Sequence, residues 1–310
     1  MTKSWNSNRY KLKTTLFLMA IALSVWGCHS FSADSAKITR AECENDSAFI
    51  FIPSGEFIKG SDIQERDFAY NISARAIADT PQGIARAEQK LRETGWFDRE
   101  PSRKTASTSN FCLSRNLVTN QEYKEFIEAT NYRVPGITEA EYHQQGFLVH
   151  PYSKVKEFLW NATYPVNTAK HPVVLVSYKD ALAYARWKGK QTGKTYRLPT
   201  VEEWEKAARG EEGRYFPWGN NWLEKATNAG GSGLNYTSKI ASFPLSKSVY
   251  GVEDLAGNVF EYTAIESQDS LVVMKGCSWD DLPGFCRAAY QHTRPVDSRH
   301  ILFGFRLVKE

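Results

Sequence analysis

Apolar side chains recur at helical spacing in three segments of the chain, and each segment begins with a residue pair that can cap a helix. In each pair a hydroxyl residue precedes an acid by three positions, so the two side chains can satisfy free amides of the first turn. The pairs are Thr119 with Glu122, Ser177 with Asp180, and Thr200 with Glu203. The apolar positions predicted to face a core are Tyr123, Phe126 and Ile127; Ala181, Leu182, Tyr184, Ala185 and Trp187; and Trp204, Ala207 and Ala208.

Short apolar runs between turn residues indicate buried strands. The run Phe49–Ile52 ends at Pro53 and Gly55, and residues 173–176 predict a strand or an extended lead-in. The intervening segment 63–97 predicts an amphipathic helix from Pro81 to Thr94. We interpret 63–97 as an insertion, either a surface loop or a lid over a site.

After Gly210 the pattern becomes irregular and is rich in Gly, Asn, Ser and aromatic residues. No repeat or interdomain linker interrupts it. A few helices followed by a loop-rich half predict a single α+β domain, which we place at residues 45–310.

The first residues are typical of an export signal. Basic residues come before the apolar run 16–26, which is too short to span a bilayer. The run leads to Gly27 and Cys28, as in a bacterial lipobox, although Trp26 stands where a small residue is usual. We therefore predict a signal peptide at 1–27, lipidation of Cys28, a tether at 28–44, and a periplasmic or cell-surface protein anchored to a bacterial membrane. The alternative is ordinary cleavage between Ser30 and Ser35.

Export also changes the charge of the chain. The sequence has 39 Lys and Arg against 35 Asp and Glu, and the signal carries four basic residues and no acidic ones. The mature chain is therefore formally neutral, which gives no electrostatic footprint for nucleic acid. Four cysteines remain beyond Cys28, and an exported chain can pair them in any of three ways. They are Cys43, Cys112, Cys277 and Cys286.

Several short motifs occur in a particular order between Phe49 and Val308. They are RLPTVEEW at 197–204, FPWG at 216–219, YGVEDLAGNVFEY at 250–262, KGCSW at 275–279, RAAY at 287–290 and GFR at 304–306. In order and spacing they resemble the sulfatase-modifying-factor family, which includes the formylglycine-generating enzyme. The resemblance implies a loop-rich fold related to the C-type lectin fold.

The resemblance also implies that the family's copper chemistry is missing. In the enzyme two cysteines in the pattern C-x4-C, just after the GGSW-like segment, hold copper, because soft thiolates select Cu(I). Here the first position is Asp281, and the second falls at Cys286. A hard carboxylate cannot replace a thiolate in such a site, so we do not expect copper. Asp281 and Cys286 are kept as candidate catalytic residues.

A calcium site is the metal site that the resemblance favours. The matching ligands are the carboxylates of Asp254 and Glu261 and the carbonyls of Gly257 and Val259, a mixture of hard oxygens that calcium accepts. The alternative is a turn and strand with a solvated glutamate. A second family site would begin at Asn228 and Ala229, but its acidic ligand is missing, so we do not expect it.

The segment around Asp281 corresponds to the family's substrate cleft. Ser278 and Trp279 match residues that line it, and a peptide, protein or small-molecule ligand is the expected occupant. The pair Asp280–Asp281 could act as a base or a hard metal ligand, or form a solvated loop. The histidines at 143, 150, 171, 292 and 300 show no metal-ligand spacing, and the arginines at 287, 294, 299 and 306 are expected to pair with acids.

Two classes of function remain open. The first is an exported binding or accessory protein that retains the cleft and calcium but not copper. The second is an enzyme, either a formylglycine-generating oxidase or another metal-dependent oxidoreductase. Fold alone does not decide between them.

Overall fold

The predicted capping pairs begin helices in the computed structural model, which describes residues 38–146, 149–160, 168–265 and 270–310. All three are complete capping boxes. The helices of the described residues are α1 Arg40–Glu44, α2 Ile63–Ile77, α3 Pro81–Thr94, α4 Asn120–Thr130, α5 Glu139–Gln144, α6 Tyr152–Val155, α7 Tyr178–Thr192 and α8 Val201–Arg209. None of them is long and apolar enough to cross a bilayer.

Ten short strands in the described residues form three sheets. They are β1 Phe49–Ile52, β2 Gly55–Lys59, β3 Lys104–Thr108, β4 Phe111–Ser114, β5 Tyr196–Arg197, β6 Phe260–Tyr262, β7 Leu271–Lys275, β8 Gln291–Pro295, β9 Phe303–Gly304 and β10 Val308–Lys309. The orders are β1-β4-β10-β5, β2-β3 and β8-β7-β6-β9. Pairing is antiparallel except between β6 and β9. The predicted α+β class is thus confirmed.

The main core lies between α4, α7 and the last segment of the chain. Tyr123, Phe126 and Tyr184 are buried there with Phe305, and their ring centroids lie 5.2–6.4 Å apart, within the range that aromatic pairs prefer. Residues 173–176 are buried but form no strand, and Leu175 has a left-handed φ of 58°. The helical faces predicted from the sequence therefore do pack inwards.

The predicted tether at 28–44 is too long at its C-terminal end. Thr39 caps α1, and Cys43 of α1 is fully buried and disulfide-bonded to Cys112 of β4. A covalent link to a core strand makes this segment part of the domain. Residues 1–37, with the predicted signal peptide and Cys28, lie outside the described residues.

The segment 63–97 contains two helices instead of one. α3 has the predicted bounds and no buried residue, whereas α2 was not predicted and carries a buried face. A Cβ atom on Gly284 would lie 2.6 Å from the carbonyl oxygen of Ala69 in α2, so this glycine permits the close approach of α2 to the chain around Gly284. α2 is therefore part of the core and not a surface loop.

Buried ion pairs fix α2 in place. Glu65 of α2 pairs with Arg209 of α8 at 3.0 Å and with Arg287 at 3.3 Å. Arg287 also pairs with Glu100, and Arg209 with Glu205. Lys275 joins Glu205 at 3.1 Å, so three buried acids and three buried bases form one network, which the partly exposed Arg103 also joins through Glu65. Removing one member would leave a buried charge without its partner.

Candidate functional site

A cleft of about 250 Å³ opens between the end of the α3 segment, the loop after β7, and strands β6, β8 and β9. Larger grooves of about 530 and 650 Å³ lie elsewhere on the surface. The small cleft is the candidate site because partly buried titratable side chains line it. Its lining residues are Trp96, Val149, Phe260, Asp280, Asp281, Phe285, Tyr290, His292, Arg294, His300, Leu302 and Phe303.

A disulfide closes the loop that forms one wall. Cys277 and Cys286 are fully buried and bonded to each other. Cys286 is the last residue of a 3-10 helix, Pro283–Cys286, so this disulfide does not join two adjacent strands. The sulfur of Cys286 is in this disulfide, so Cys286 offers no thiolate. Its predicted catalytic role stays a prediction.

Ser278 holds the two acids of this loop. Its backbone N–H donates to Oδ2 of Asp281 at 2.8 Å, and its hydroxyl donates to Oδ1 of Asp280 at 2.6 Å and also contacts Oδ2 of Asp281. The carbonyl of Asp281 accepts the N–H of Gly230 at 2.8 Å. The acids are partly buried with fixed partners, so the solvated-loop alternative is wrong.

The two carboxyl groups differ in acidity. Burial raises the pKa of Asp281 to about 7, and the neighbouring Asp280 adds to this effect. Burial also opposes the charge of Asp280, but hydrogen bonds from His150 and Ser278 outweigh it and lower the pKa of Asp280. At neutral pH Asp280 is thus ionised while Asp281 can hold or release a proton.

His150 completes the group around Asp280. Its Nε2 lies 2.7 Å from Oδ2 of Asp280, and its ring stacks on Trp279 with centroids 5.1 Å apart. Trp279 is almost fully buried and continues the stack towards Phe158 at 6.1 Å. Trp279 thus supports His150, and Ser278 supports the acids, so neither behaves as a simple lining residue of the cleft.

Two further histidines lie in the cleft. Burial lowers the pKa of His292 to about 3 and that of His300 to about 3, so both rings are neutral at physiological pH. Tyr290 contacts His292 at 3.1 Å, and Tyr142 contacts His300 at 3.2 Å. No sequence signal predicted that the three histidines lie in one region of the fold, because His150 is 142 positions from His292 and 150 from His300 in the chain.

The predicted calcium segment forms a tight turn beside the cleft loop. Asp254, Gly257 and Asn258 have left-handed φ values of 56°, 87° and 68°. A Cβ on Gly257 would lie 2.4 Å from the carbonyl oxygen of Asn228, so only glycine fits there. The amide of Asn258 donates to that same carbonyl at 2.7 Å, and the carbonyl of Asn258 accepts from Trp279 at 3.1 Å. The turn therefore links residue 228 to the cleft loop.

The proposed calcium ligands fit in part. Burial raises the pKa of Asp254 to about 6, and its Oδ2 accepts one amide N–H, from Ala241 at 2.9 Å, so a cation would offset its desolvation. Glu261 already binds Arg306 through both oxygens, at 2.5 and 2.9 Å, and is fully buried, so the solvated-glutamate alternative is wrong. The carbonyl of Gly257 accepts the N–H of Val259 at 2.9 Å. The described residues contain no cluster of three His, Cys, Asp or Glu suited to a metal ion.

The second calcium position is occupied by protein contacts. The side chain of Asn228 donates to the carbonyl of Tyr236 and accepts from Ser232, both at 2.9 Å, and Ala229 is buried in the core. These contacts use the side-chain polar atoms of Asn228 within the protein. Among the arginines predicted to pair with acids, Arg287 pairs with Glu65 and Glu100, Arg299 with Asp180, and Arg306 with Glu261.

Comparison with known protein families identifies the family of this chain. The model of the sulfatase-modifying factor enzyme 1-like domain matches residues 34–310. The chain belongs to the sulfatase-modifying factor family. The motifs that suggested the family, from residue 197 to residue 306, lie within that match. They include α8, the turn of the predicted calcium segment and the cleft loop.

Relatives in this family include both named enzymes and a form named inactive. The chain is 30% identical over 273 residues to the inactive C-alpha-formylglycine-generating enzyme 2 of Mus musculus, with 76% of this chain and 75% of the relative covered. It is 31% identical over 229 residues to the formylglycine-generating enzyme of Thermomonospora curvata, with coverage of 62% and 71%. It is 27% identical to the hercynine oxygenase of Mycolicibacterium smegmatis, with coverage of 70% and 57%.

Solved structures confirm the fold. PvdO from Pseudomonas aeruginosa superposes with a TM-score of 0.60 at 24% identity and covers 84% of this chain and 94% of its own. Treponema denticola variable protein 1 superposes with a TM-score of 0.55 at 18% identity, with coverage of 84% and 94%. At this level of identity the likeness concerns the fold and not the activity.

Proposed function

We propose that the protein is an exported binding or accessory member of the family, whose cleft takes a ligand but does not form formylglycine. The observation that carries this proposal is the cleft loop itself. Asp281 stands at the first copper-cysteine position, and the cysteine at the second position, Cys286, is in a disulfide with Cys277. A disulfide and a hard carboxylate offer no pair of thiolates for Cu(I). Relatives named inactive support the same class of function.

The direct experiment is an assay for aldehyde. The mature protein is incubated with Cu(I), oxygen and a peptide that contains a CxPxR motif, and the product is examined by mass spectrometry. We expect no aldehyde. The matched control is the double variant Cys277→Gly and Asp281→Cys, which removes the disulfide and restores the C-x4-C pattern with Cys286. Multiple turnovers by the wild-type protein would contradict the proposal.

A second candidate function is that of a metal-dependent oxidoreductase in which Asp281 supplies acid–base chemistry on the ligand. The specific observation is the carboxyl of Asp281, whose pKa of about 7 suits a group that gives and takes a proton near neutrality. The similarity to hercynine oxygenase is consistent with an oxidoreductase of this kind. Metal analysis of the purified mature protein separates the two candidates, because a stoichiometric transition metal favours the oxidoreductase.

Calcium remains part of the proposal. Asp254 and the carbonyls of Gly257 and Val259 would hold it, and the ion would stabilise the turn that supports the cleft loop. Lipidation of Cys28 would hold the domain at a membrane surface outside the cytoplasm. The motivation for both is the sequence, supported for calcium by the buried carboxyl of Asp254.

A further inference from the structure

We infer that the cleft binds a small aromatic compound of one or two rings that carries an N–H or O–H group, and that Asp281 accepts the hydrogen bond from that group. This inference rests on the proposed ligand-binding function and names the class of ligand. It depends on the size of the cleft, on its walls, and on the polar atoms that remain available inside it.

The size of the cleft limits the ligand to one or two rings. The cleft encloses about 250 Å³. An apolar cavity of about 150 Å³ in a protein can hold benzene. Drug-sized ligands occupy clefts of roughly 300–1,000 Å³. The volume here lies between these values, so it suits a compound the size of a single or fused bicyclic ring.

The walls favour a flat ring. Trp96 is 38% exposed, and its ring lies 6.4 Å from Phe285 and 6.1 Å from His292. Phe260 stacks on His292 with centroids 5.4 Å apart. Aromatic rings attract one another at centroid distances of about 4.5–7 Å, so a ligand ring can extend this cluster. Trp96 is partly exposed, so a bound ligand ring could pack against it and cover its exposed surface.

The carboxyl of Asp281 has an oxygen suited to accept a hydrogen bond from a ligand. Both contacts from Ser278 to Asp281 fall on Oδ2, which leaves Oδ1 for a ligand within the part of the chain that the structure describes. Asp280 is already engaged by Ser278 and His150. Asp281 is therefore the acid that a ligand donor can reach.

Indole and benzofuran provide a matched pair of probes, because they share shape and size but only indole has an N–H donor. Binding to the mature wild-type protein is followed by NMR, through ligand saturation transfer and the indole N–H signal of Trp96. At pH 8, above the pKa of Asp281, we expect indole to bind about tenfold more tightly than benzofuran, since a hydrogen bond to a carboxylate contributes about a factor of ten in affinity.

Two variants and a control make the test specific. In Asp281→Asn the amide oxygen must serve the N–H of Ser278, so the amide NH₂ faces the ligand, and the preference for indole should disappear. Trp96→Leu should weaken indole and benzofuran equally. Asp79→Asn, an exposed acid outside the cleft, should change neither, and its folding serves as the reference.

Equal binding of the two probes to the wild type would overturn the inference, as would a lack of indole binding at millimolar concentration. An unchanged preference for indole in Asp281→Asn would show that another atom accepts the bond. The aldehyde assay is independent of these outcomes. The inference can therefore fail while the proposed function stands, and aldehyde formation would refute the proposed function itself.

Discussion

Burial disfavours the charged form of the Asp281 carboxyl, and this affects the free energy of unfolding. Its pKa in the folded protein is about 7, above the ordinary value of 3.8. Because the folded state binds this proton more tightly than the unfolded state, the carboxyl costs stability as the pH rises from about 4 to 7, and the whole cost is present above pH 7.

Replacement of Asp281 by Asn should therefore stabilise the protein at high pH. We expect the free energy of unfolding of Asp281→Asn to exceed that of the wild type by about 4 kcal/mol at pH 8, since each unit of pKa difference is worth about 1.4 kcal/mol, and to match it near pH 4. Chemical denaturation at both pH values measures the difference. Asp79→Asn is the control, and a difference that does not change with pH would contradict the assigned pKa.

The sequence predicted individual residues of the site better than the contacts between residues that are distant in the chain. Asp281 and the loss of the copper pair followed from a count along one motif, because that segment is continuous in the chain. The contact of His150 with Asp280 spans 130 positions and depends on tertiary packing, so no local pattern could predict it. The pairing of Cys277 with Cys286 was one of three possibilities, and only the fold selects it.

At the scale of elements, α2 shows where local patterns are insufficient. Capping boxes and helical spacing predicted α4, α7 and α8, because each helix has a regular apolar face that packs into a buried cluster, α4 and α7 into one and α8 into a second. α2 has a weak apolar pattern, and its buried face includes Glu65, Ser73 and alanines. Its stability comes from buried ion pairs and a close approach to Gly284, which are tertiary features. The pair Asp62 and Glu65 at its start was the one local signal.

The buried network predicts that α2 is sensitive to a single charge. In Glu65→Gln the free energy of unfolding should fall by about 3–5 kcal/mol, because Arg209 and Arg287 lose a buried partner. Asp67→Asn on the exposed face of the same helix removes a surface pair with Arg92 and should cost at most about 1 kcal/mol. Equal effects of the two variants in urea denaturation would show that the network does not stabilise α2.

At the scale of the whole molecule, calcium should raise the melting temperature of the mature protein. A ligand that binds only the folded state adds about 2.7 kcal/mol at a hundredfold excess over its Kd. Calorimetry with calcium and with a chelator measures this gain, and Asp254→Ala should abolish it. Glu261→Ala is unsuitable, because it also removes the partner of Arg306. Equal melting temperatures for the wild type would show that the segment is only a turn.

The N-terminal sequence predicts how the molecule is held in the cell. Two or more acyl chains anchor a protein stably, whereas one does so only marginally, and bacterial lipoproteins carry at least two. Cys28→Ser should therefore release the protein from the membrane fraction or block its processing. Native protein that is soluble, with an unmodified N-terminus between Ser30 and Lys37, would instead support ordinary cleavage.

The central claim is that this member of the family has a cleft without copper chemistry. The most direct measurement is the copper content of the mature protein, purified without reductant, loaded with Cu(I) and dialysed against a Cu(I) chelator, with non-reducing peptide mapping of the same sample. We predict no retained copper and an intact peptide that joins Cys277 to Cys286. One tightly held copper per chain, together with free thiols at Cys277 and Cys286, would contradict the account.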